Sequence, residues 1–304
     1  MQISFLLKRI QKALKYPDKA YQFFVLKFRG AFLWNHYYEE IRDPKVNSPL
    51  EQSPQIHEDI IDELKKNDFD VIDYNIDIED YQRYLEKAEY QNYPYYYGGG
   101  KADKFAEKSL EHYISAKLLN LNKDDVYIDI ANANSPAGEI YHKLYGCQVY
   151  QQDLIYPEGI HGNTIGGDAS NMPLQDGFAT KMAMHCSFEH FEQDSDIRFI
   201  KEANRVLRRG GCLCIAPLYL FNKYVIQTDP TTLPKGGIPF EDDAIIYCVK
   251  GWRNRHARYY DVPHFISRIR DNMQDLNLTI YVVRNEKDIS QFCHIKFVAL
   301  FKKE

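Results

Sequence analysis

Short apolar runs alternate with amphipathic stretches over the C-terminal two thirds of this chain. The β-branched run VYIDI at 126–130 predicts a buried strand, and CQVYQQD at 147–153 predicts a second one. Two further strands are predicted at 179–186 and 212–220. The segments between these runs carry apolar residues at helical spacing. Strands that alternate with helices predict an α/β fold with a mostly parallel sheet covered on both faces.

The helices between these strands have recognisable start and stop signals. In DSDIRFIKEANRVLRRGG, Asp194 or Ser195 can cap the helix, and the pair Gly210 and Gly211 is expected to end it. An earlier helix is predicted at 136–145, with a proline at its first position. Near the C-terminus, LTIYVVR and HIKFVALF predict an antiparallel hairpin that closes the sheet.

The first hundred residues lack this regular alternation. Residues 1–42 predict one or two basic, aromatic-rich helices, and three prolines within 43–56 predict a linker. An acidic helical segment follows, and then the loop-forming stretch NYPYYYGGG at 92–100. We therefore expect a helical N-terminal extension and linker over 1–100 and an α/β domain over 101–304.

Composition narrows the class of protein. The 304 residues are 44% hydrophobic and 27% charged, which is typical of a globular protein, and the net charge of −5 predicts no nucleic-acid partner. Residues 1–30 carry seven Lys or Arg against one acid. This basic segment is either a peripheral contact for an anionic membrane or a solvated amphipathic helix. We expect no transmembrane segment, and the sequence does not indicate an oligomeric state.

The six cysteines form no C-x-x-C pair, and no Cys/His set has zinc-site spacing. We therefore expect no metal. Reduced thiols within apolar runs favour a cytoplasmic protein.

One long run carries several motifs in a fixed order. GDASNMPLQDGFATKMAMHCSFEHFEQDSDIRFIKEANRVLRRGGCLCIAPLY contains an acid–small pair, Met-Pro, Asp-Gly, a strand, S-x-E-H, a helix and R-V-L-x-x-G-G. This ordered set resembles the class I S-adenosylmethionine-dependent methyltransferases, specifically the type 11 group. The resemblance implies a doubly wound, Rossmann-like, seven-stranded sheet. It also implies that an insertion after the fifth strand, residues 221–261, acts as a substrate lid.

The resemblance also assigns a cofactor site. Asp129 matches the acid at the end of the first strand, Asp153 matches the acid that accepts both ribose hydroxyls, and Asp168 with Ala169 matches the pair that reads the adenine ring. The loop after the first strand should pass beneath the methionine part, and the residues after the fourth strand should lie beside the sulfonium. The implied cofactor-binding residues are Asp129, Ala131, Asn132, Ala133, Asp153, Asp168, Ala169, Cys186 and Ser187.

The first loop departs from the family pattern. The family has roughly D-x-G-x-G-x-G, whereas this chain has DIANANS, with Ala131, Ala133 and Ser135 at the glycine positions. Glycine lets the backbone adopt positive φ and approach a ligand closely. Alanine and serine are the smallest replacements. Because of this departure, one alternative stays open. The protein could be a non-catalytic binding module of the same fold, with a degenerate cofactor loop.

The candidate catalytic residues are His190 and Glu189 of the S-x-E-H motif. His190 is either a proton acceptor near the substrate or a residue that orients its loop, because histidine titrates near neutral pH. His185, within the fourth predicted strand, is expected to be a core histidine. Four residues of RNRHARYYDVPHF could bind a polar or anionic acceptor: Arg255, His256, Arg258 and Tyr259. The alternative is that this segment is a solvated basic turn.

We therefore expect direct transfer of a methyl group from S-adenosylmethionine to an oxygen or nitrogen nucleophile. The basic leader and the insert resemble bacterial methyltransferases that act on cell-surface polysaccharide, so a carbohydrate acceptor is one hypothesis. A lipid-linked sugar or a small metabolite fits nearly as well. A nucleotide-sugar or dinucleotide enzyme is a weaker alternative, because no G-x-G-x-x-G follows the first strand.

Overall fold

The computed structural model of this protein describes residues 17, 49–50, 52–229, 240–249 and 252–304. The predicted basic helices, and with them the proposed membrane contact, lie outside the described residues except for Pro17. Among the residues described, no helix has the length and apolar character needed to cross a bilayer.

The described elements alternate along most of the chain. The helices are α1 (Pro54–Lys66), α2 (Ile78–Ala88), α3 (Tyr97–Gly100), α4 (Phe105–Leu119), α5 (Ala137–Tyr145), α6 (Ser195–Val206), α7 (Val262–Arg268) and α8 (Glu286–Ile289). The strands are β1 (Asp70–Tyr74), β2 (Val126–Ile130), β3 (Gln148–His161), β4 (Thr164–Gly166), β5 (Ala179–His185), β6 (Leu207–Ala216), β7 (Val225–Thr228), β8 (Ile245–Cys248), β9 (Ala257–Tyr259), β10 (Leu276–Val283) and β11 (Phe297–Lys303). Within the described residues, 3₁₀ turns cover Tyr90–Asn92, Phe188–His190 and Arg270–Asn272.

Eight strands form one sheet in the order β1-β10-β11-β6-β5-β2-β3-β4. Strands β2, β3, β5 and β6 are parallel to their neighbours within this group, and β11 runs antiparallel to both β6 and β10. The predicted doubly wound α/β fold and its closing hairpin are therefore confirmed. The strand order reverses between β2 and β5, and α/β sheets place ligands at the carboxyl ends of strands beside such a switch.

Side-chain alternation along the strands divides the core between the two faces of the sheet. In β2, Ile128 and Ile130 pack into one hydrophobic cluster, whereas Tyr127 packs into the other. All three side chains are fully buried. The sheet therefore needs helices on both faces, as the apolar character of VYIDI predicts.

Two of the differences from the sequence-based expectations have a clear physical reason. The described part of the predicted helical extension also contains a strand, because β1 pairs in parallel with β10 and adds an eighth strand at the sheet edge. Helix α6 ends at Val206 rather than at the glycine pair, and the chain enters β6 at once. Leu207 pairs with Ala179 of β5 ahead of a register shift, so pairing within the sheet overrides the local stop signal.

The described residues of the insertion after β6 include a second, three-stranded sheet in the order β8-β7-β9. One buried side chain joins this small sheet to the main domain. Arg258 of β9 lies 3.1 Å from Asp196 of α6 and also pairs with Glu241. Its guanidinium donates to the carbonyls of Phe191 and Gln193 at 2.7 and 2.9 Å.

A second arginine and a tyrosine complete this buried ionic network. Arg268 of α7 donates twice to the Asp196 carboxylate, at 2.7 and 2.9 Å, and the Tyr260 hydroxyl donates to it at 2.6 Å. The side chains of Arg258 and Asp196 are completely buried. Removal of one partner of such a pair leaves a buried charge with incomplete compensation.

We predict that Arg258→Met lowers the free energy of unfolding by about 3–5 kcal/mol, the range for removing one partner of a buried ion pair. The measurement is equilibrium urea unfolding of both proteins. Arg83→Met is the matched control, because Arg83 forms only exposed pairs on α2 and should cost less than about 1 kcal/mol. Equal losses in the two variants would contradict a structural role for the network.

Candidate functional site

Two neighbouring cavities open at the carboxyl ends of the central strands. The first cavity, of about 290 Å³, brings together six of the predicted residues: Ala131, Asp153, Asp168, Ala169, His190 and Arg255. The second cavity, of about 320 Å³, contains four of them: Cys186, Glu189, His190 and Tyr259. His190 lines both cavities, so it stands in the wall between them.

The turn after β2 has the left-handed backbone that glycine usually adopts. Ala131, Ala133 and Asn134 have φ angles of 50°, 45° and 62°. Such angles strain a residue with a Cβ atom, so the surroundings must hold them. The Ala131 N–H donates to the Gln152 side-chain oxygen at 3.2 Å, and the Ala133 N–H donates to the Asp153 carboxylate at 2.7 Å. The loop thus keeps its conformation without the glycines.

Asp153 lies at the floor of the first cavity, with 9% of its surface exposed. Besides the Ala133 N–H, its carboxylate accepts the Ile155 N–H at 3.0 Å. Each carboxylate oxygen has two acceptor sites, so the group retains capacity for a ligand hydroxyl. The side-chain oxygen of Asn132 accepts instead from the Tyr156 hydroxyl, at 3.0 Å.

Asp129 is fully buried beneath this turn and does not line the first cavity. Its Oδ1 accepts from the Tyr127 hydroxyl at 3.2 Å and lies 3.2 Å from Nδ1 of His185. Within the described residues its Oδ2 has no hydrogen-bond partner. The side chain of His185 is only 5% exposed and packs against His112, so it is a core histidine as predicted.

Asp168 lies at the rim of the first cavity with half of its side chain exposed. Its Oδ1 accepts the Ser170 N–H and hydroxyl, each at 2.8 Å, and Arg198 lies 3.4 Å from Oδ2. Partial burial acts to raise the pKa of Asp168, but the Ser170 and Arg198 interactions outweigh it and lower that pKa. A charged acceptor therefore faces the cavity next to Ala169.

His190 belongs to the 3₁₀ turn that follows β5. Its Nδ1 contacts the backbone carbonyl oxygen of His256, and a carbonyl can only accept, so Nδ1 carries the hydrogen. Nε2 of the neutral ring is then the proton-accepting nitrogen. Nε2 lies 3.6 Å from Oε1 of Glu189, and 38% of the side chain is exposed. The ring therefore has the tautomer and the access that a general base requires.

Glu189 and Cys186 lie together at the wall of the second cavity. Glu189 is 4% exposed; its Oε1 accepts from the Cys186 thiol at 3.2 Å, and its Oε2 has no hydrogen-bond partner within the described residues. Burial and the neighbouring Glu189 raise the pKa of Cys186 well above its ordinary value, so its thiol is neutral. Ser187 lines neither cavity.

The structure buries two of the four residues that were predicted to bind a polar or anionic acceptor. Arg258 is held in the buried network, and His256 is buried with its Nδ1 3.1 Å from the Glu189 carbonyl oxygen. Burial and the adjacent Arg258 lower the pKa of His256 to about 3. Arg255 lines the first cavity, where it pairs with Glu192, and Tyr259 lines the second.

Several lining residues were missed by the sequence analysis. Glu107 and Lys108 of α4 line the second cavity together with the insert residue Trp252. A signal was present, because Glu107 and Glu111 occupy the same helical stripe as the buried Leu110. Acids within an apolar stripe are expected to serve a polar site or a buried pair.

Comparison with known proteins gives one family match, over residues 131–215, to the type 11 family described as "Methyltransferase domain". This segment contains the turn after β2, Asp153, Asp168 and the Glu189–His190 pair. The predicted resemblance is therefore confirmed over that segment. A comparison with curated proteins gives no match.

The solved structures that match this chain include three proteins of low sequence identity. The 1,6-didemethyltoxoflavin-N1-methyltransferase of Burkholderia thailandensis is 12% identical, with a TM-score of 0.45 and coverage of 74% of this chain and 89% of that chain. The YcgJ protein of Bacillus subtilis is 10% identical, with a TM-score of 0.41 and coverage of 64% and 99%. A geranyl diphosphate methyltransferase is 12% identical, with a TM-score of 0.41 and coverage of 64% and 77%.

We predict that His256 makes the protein less stable in acid. Its pKa falls from 6.5 to about 3 on folding, so between these values the unfolded chain binds the proton and the folded one does not. Stability attributable to this group therefore falls as the pH drops below 6.5, by up to about 1.4 kcal/mol per pH unit. His256→Gln should reduce the slope of unfolding free energy against pH between 6.5 and 5.

His161→Gln is the matched control, because His161 is exposed. It should leave the pH slope of the urea-unfolding free energy as in the unaltered protein. If His256→Gln also leaves that slope unchanged, His256 is not held neutral by the fold.

Proposed function

We propose that this chain, which carries a methyltransferase domain over residues 131–215, transfers a methyl group from S-adenosylmethionine to an oxygen or nitrogen atom of a small-molecule or carbohydrate acceptor. One observation carries the proposal. His190, with Nε2 as its proton-accepting nitrogen, stands in the wall shared by two cavities at the carboxyl ends of the central strands. A cofactor in the first cavity and an acceptor in the second would meet beside this base.

The residues of the first cavity suit this cofactor. The Asp153 carboxylate would accept the ribose hydroxyls, and the ionised Asp168 beside Ala169 would accept the adenine amino group. The turn at 131–134 would bring backbone close to the methionine part, near the buried Asp129, whose Oδ2 has no hydrogen-bond partner among the described residues. When bound, S-adenosylmethionine supplies an electrophilic methyl group on a positively charged sulfur. A protein then contributes alignment, exclusion of water and removal of a proton.

The chain's own residues would divide these tasks. His190 Nε2 would take the proton from the acceptor hydroxyl or amine, while Nδ1–H stays on the His256 carbonyl. Glu189, 3.6 Å from Nε2, would stabilise the resulting imidazolium. The neutral Cys186 thiol would shape the wall without competing as a nucleophile, because only a thiolate is strongly nucleophilic.

The domain organisation is part of this proposal. The insert at 221–261 would act as the lid over the acceptor, since Trp252, Asn254 and Tyr259 line the second cavity. Free cysteines such as Cys147 and Cys214 suit a reducing compartment, so we place the reaction in the cytoplasm. A bacterial cell-surface polysaccharide precursor is one carbohydrate acceptor that fits this location.

We predict that Asp153→Ala weakens binding of S-adenosylhomocysteine by about 1.5–3 kcal/mol, because a charged hydrogen-bond acceptor is lost. Titration calorimetry gives the affinity, and melting temperature shows whether the turn survives. Asp62→Ala, a change at an exposed position of α1, should leave affinity unchanged. A folded Asp153→Ala protein with the affinity of the original would show that another group reads the ribose.

We predict that His190→Ala lowers turnover by roughly 10²–10⁴, the range for loss of a general base, while cofactor affinity barely changes. Turnover is followed as S-adenosylhomocysteine released with an acceptor found by screening. His161→Ala, at an exposed position, controls for loss of an imidazole elsewhere. A folded, cofactor-binding His190→Ala enzyme with near-normal turnover contradicts the catalytic role. Cofactor binding without turnover on any acceptor would favour the non-catalytic module.

A further inference from the structure

The second cavity is rich in carboxyl groups. Glu107 and Glu189 both line it, and each is less than one-tenth exposed. Glu107 accepts the His294 N–H at 3.1 Å, whereas Oε2 of Glu189 has no hydrogen-bond partner within the described residues. A buried carboxylate oxygen without a partner is costly unless a ligand donates to it.

The lysines that line the cavity are exposed or already engaged. The ammonium of Lys108 donates to the buried carboxyl of Glu111 at 2.7 Å. Lys104 lies at the exposed rim. The lining thus sets two buried carboxyl groups, those of Glu107 and Glu189, against one engaged and one exposed ammonium group.

The arginines expected to hold an anion are also engaged. Arg255 faces the first cavity, where Glu192 pairs with it. Arg258 is enclosed by Asp196 and Glu241. Within the described part of the chain, the second cavity therefore has no arginine in its lining for a carboxylate or phosphate on the acceptor.

Aromatic rings supply much of the remaining wall. They are Tyr97, Tyr219, Trp252, Tyr259 and Phe292. The face of an aromatic ring attracts a cation, and tryptophan does so best. Aromatic faces beside an unpaired carboxylate are the combination that recognises an organic ammonium group.

We infer that the second cavity binds a primary or secondary amine as its acceptor and that the amine nitrogen receives the methyl group, an inference that rests on the proposed methyltransferase function. The ammonium donates to Glu189 and lies against the aromatic wall. One ammonium proton passes to Nε2 of His190, which frees the nitrogen lone pair. That lone pair forms the new N–C bond, and the electron pair of the broken C–S bond stays on sulfur.

The test compares matched ligands that differ only in the polar group. Each of three scaffolds (phenylethyl, indolylethyl and hexyl) is offered as amine, alcohol and carboxylate to the full-length protein saturated with S-adenosylhomocysteine. Calorimetry should show the amine binding at least about tenfold more tightly than the alcohol on one scaffold or more, with the carboxylate weakest. The inference is overturned if nothing binds, or if alcohols or carboxylates bind as tightly as the amines on every scaffold.

Two variants test whether Glu189 and Trp252 cause the preference for amines. Glu189→Gln should weaken amine binding about tenfold or more and leave alcohol binding nearly unchanged, because it removes the charge but keeps the shape. Glu79→Gln, at an exposed surface position, is the control. Trp252→Leu should also weaken the amine more than the alcohol, which covers the case in which Glu189→Gln does not fold. Amine affinity that is unchanged in the folded variants overturns the inference.

Cofactor binding separates this inference from the proposed function. S-adenosylhomocysteine affinity is measured first and without acceptor. Absent cofactor binding contradicts the methyltransferase proposal itself. Normal cofactor binding with no preference for amines contradicts only the assignment of the acceptor class.

Discussion

The buried guanidinium of Arg258 holds together the parts of this protein that form its site. It joins the insert to the start of α6 through Asp196, and it binds the carbonyls of Phe191 and Gln193, directly after His190. The loop that carries His190 is thus joined to the small sheet, whose strand β9 contributes Ala257 and Tyr259 to the second cavity. A buried charge demands full compensation, so this geometry tolerates little displacement. The Arg258 side chain positions these parts of the protein and does not itself contact a ligand.

A second constraint operates at the turn after β2. Alanines occupy left-handed backbone there, and side chains at the end of β3 hold them in place through hydrogen bonds to their N–H groups. Asp153 therefore has two tasks, because the same carboxylate fixes the turn and lines the first cavity. Strain retained at such a place is typical of ligand-binding turns. Alanine and asparagine here hold the left-handed backbone that glycine usually adopts.

The two cavities differ in character although they share His190. Around the first, Asp153 and Asp168 are engaged by backbone or side-chain donors, and Arg255 is paired with Glu192. The second has a Glu189 oxygen for which the described residues provide no hydrogen-bond partner, and aromatic rings also line this cavity. The polar groups of the first cavity are thus largely engaged within the protein, whereas the second cavity combines a buried carboxylate with aromatic rings.

The sequence by itself determined the α/β class, the central strands, the closing hairpin and the segment that matches a methyltransferase domain. These features depend on apolar periodicity and local motif order, which are written in neighbouring residues. Only the tertiary structure decided that β1 joins the sheet, that α6 ends at Val206, and that Arg258 lies in the interior. It also decided that Glu107 and Lys108 line a cavity. A charged side chain looks the same in sequence whether it faces solvent or a buried partner, because that partner comes from a distant part of the chain.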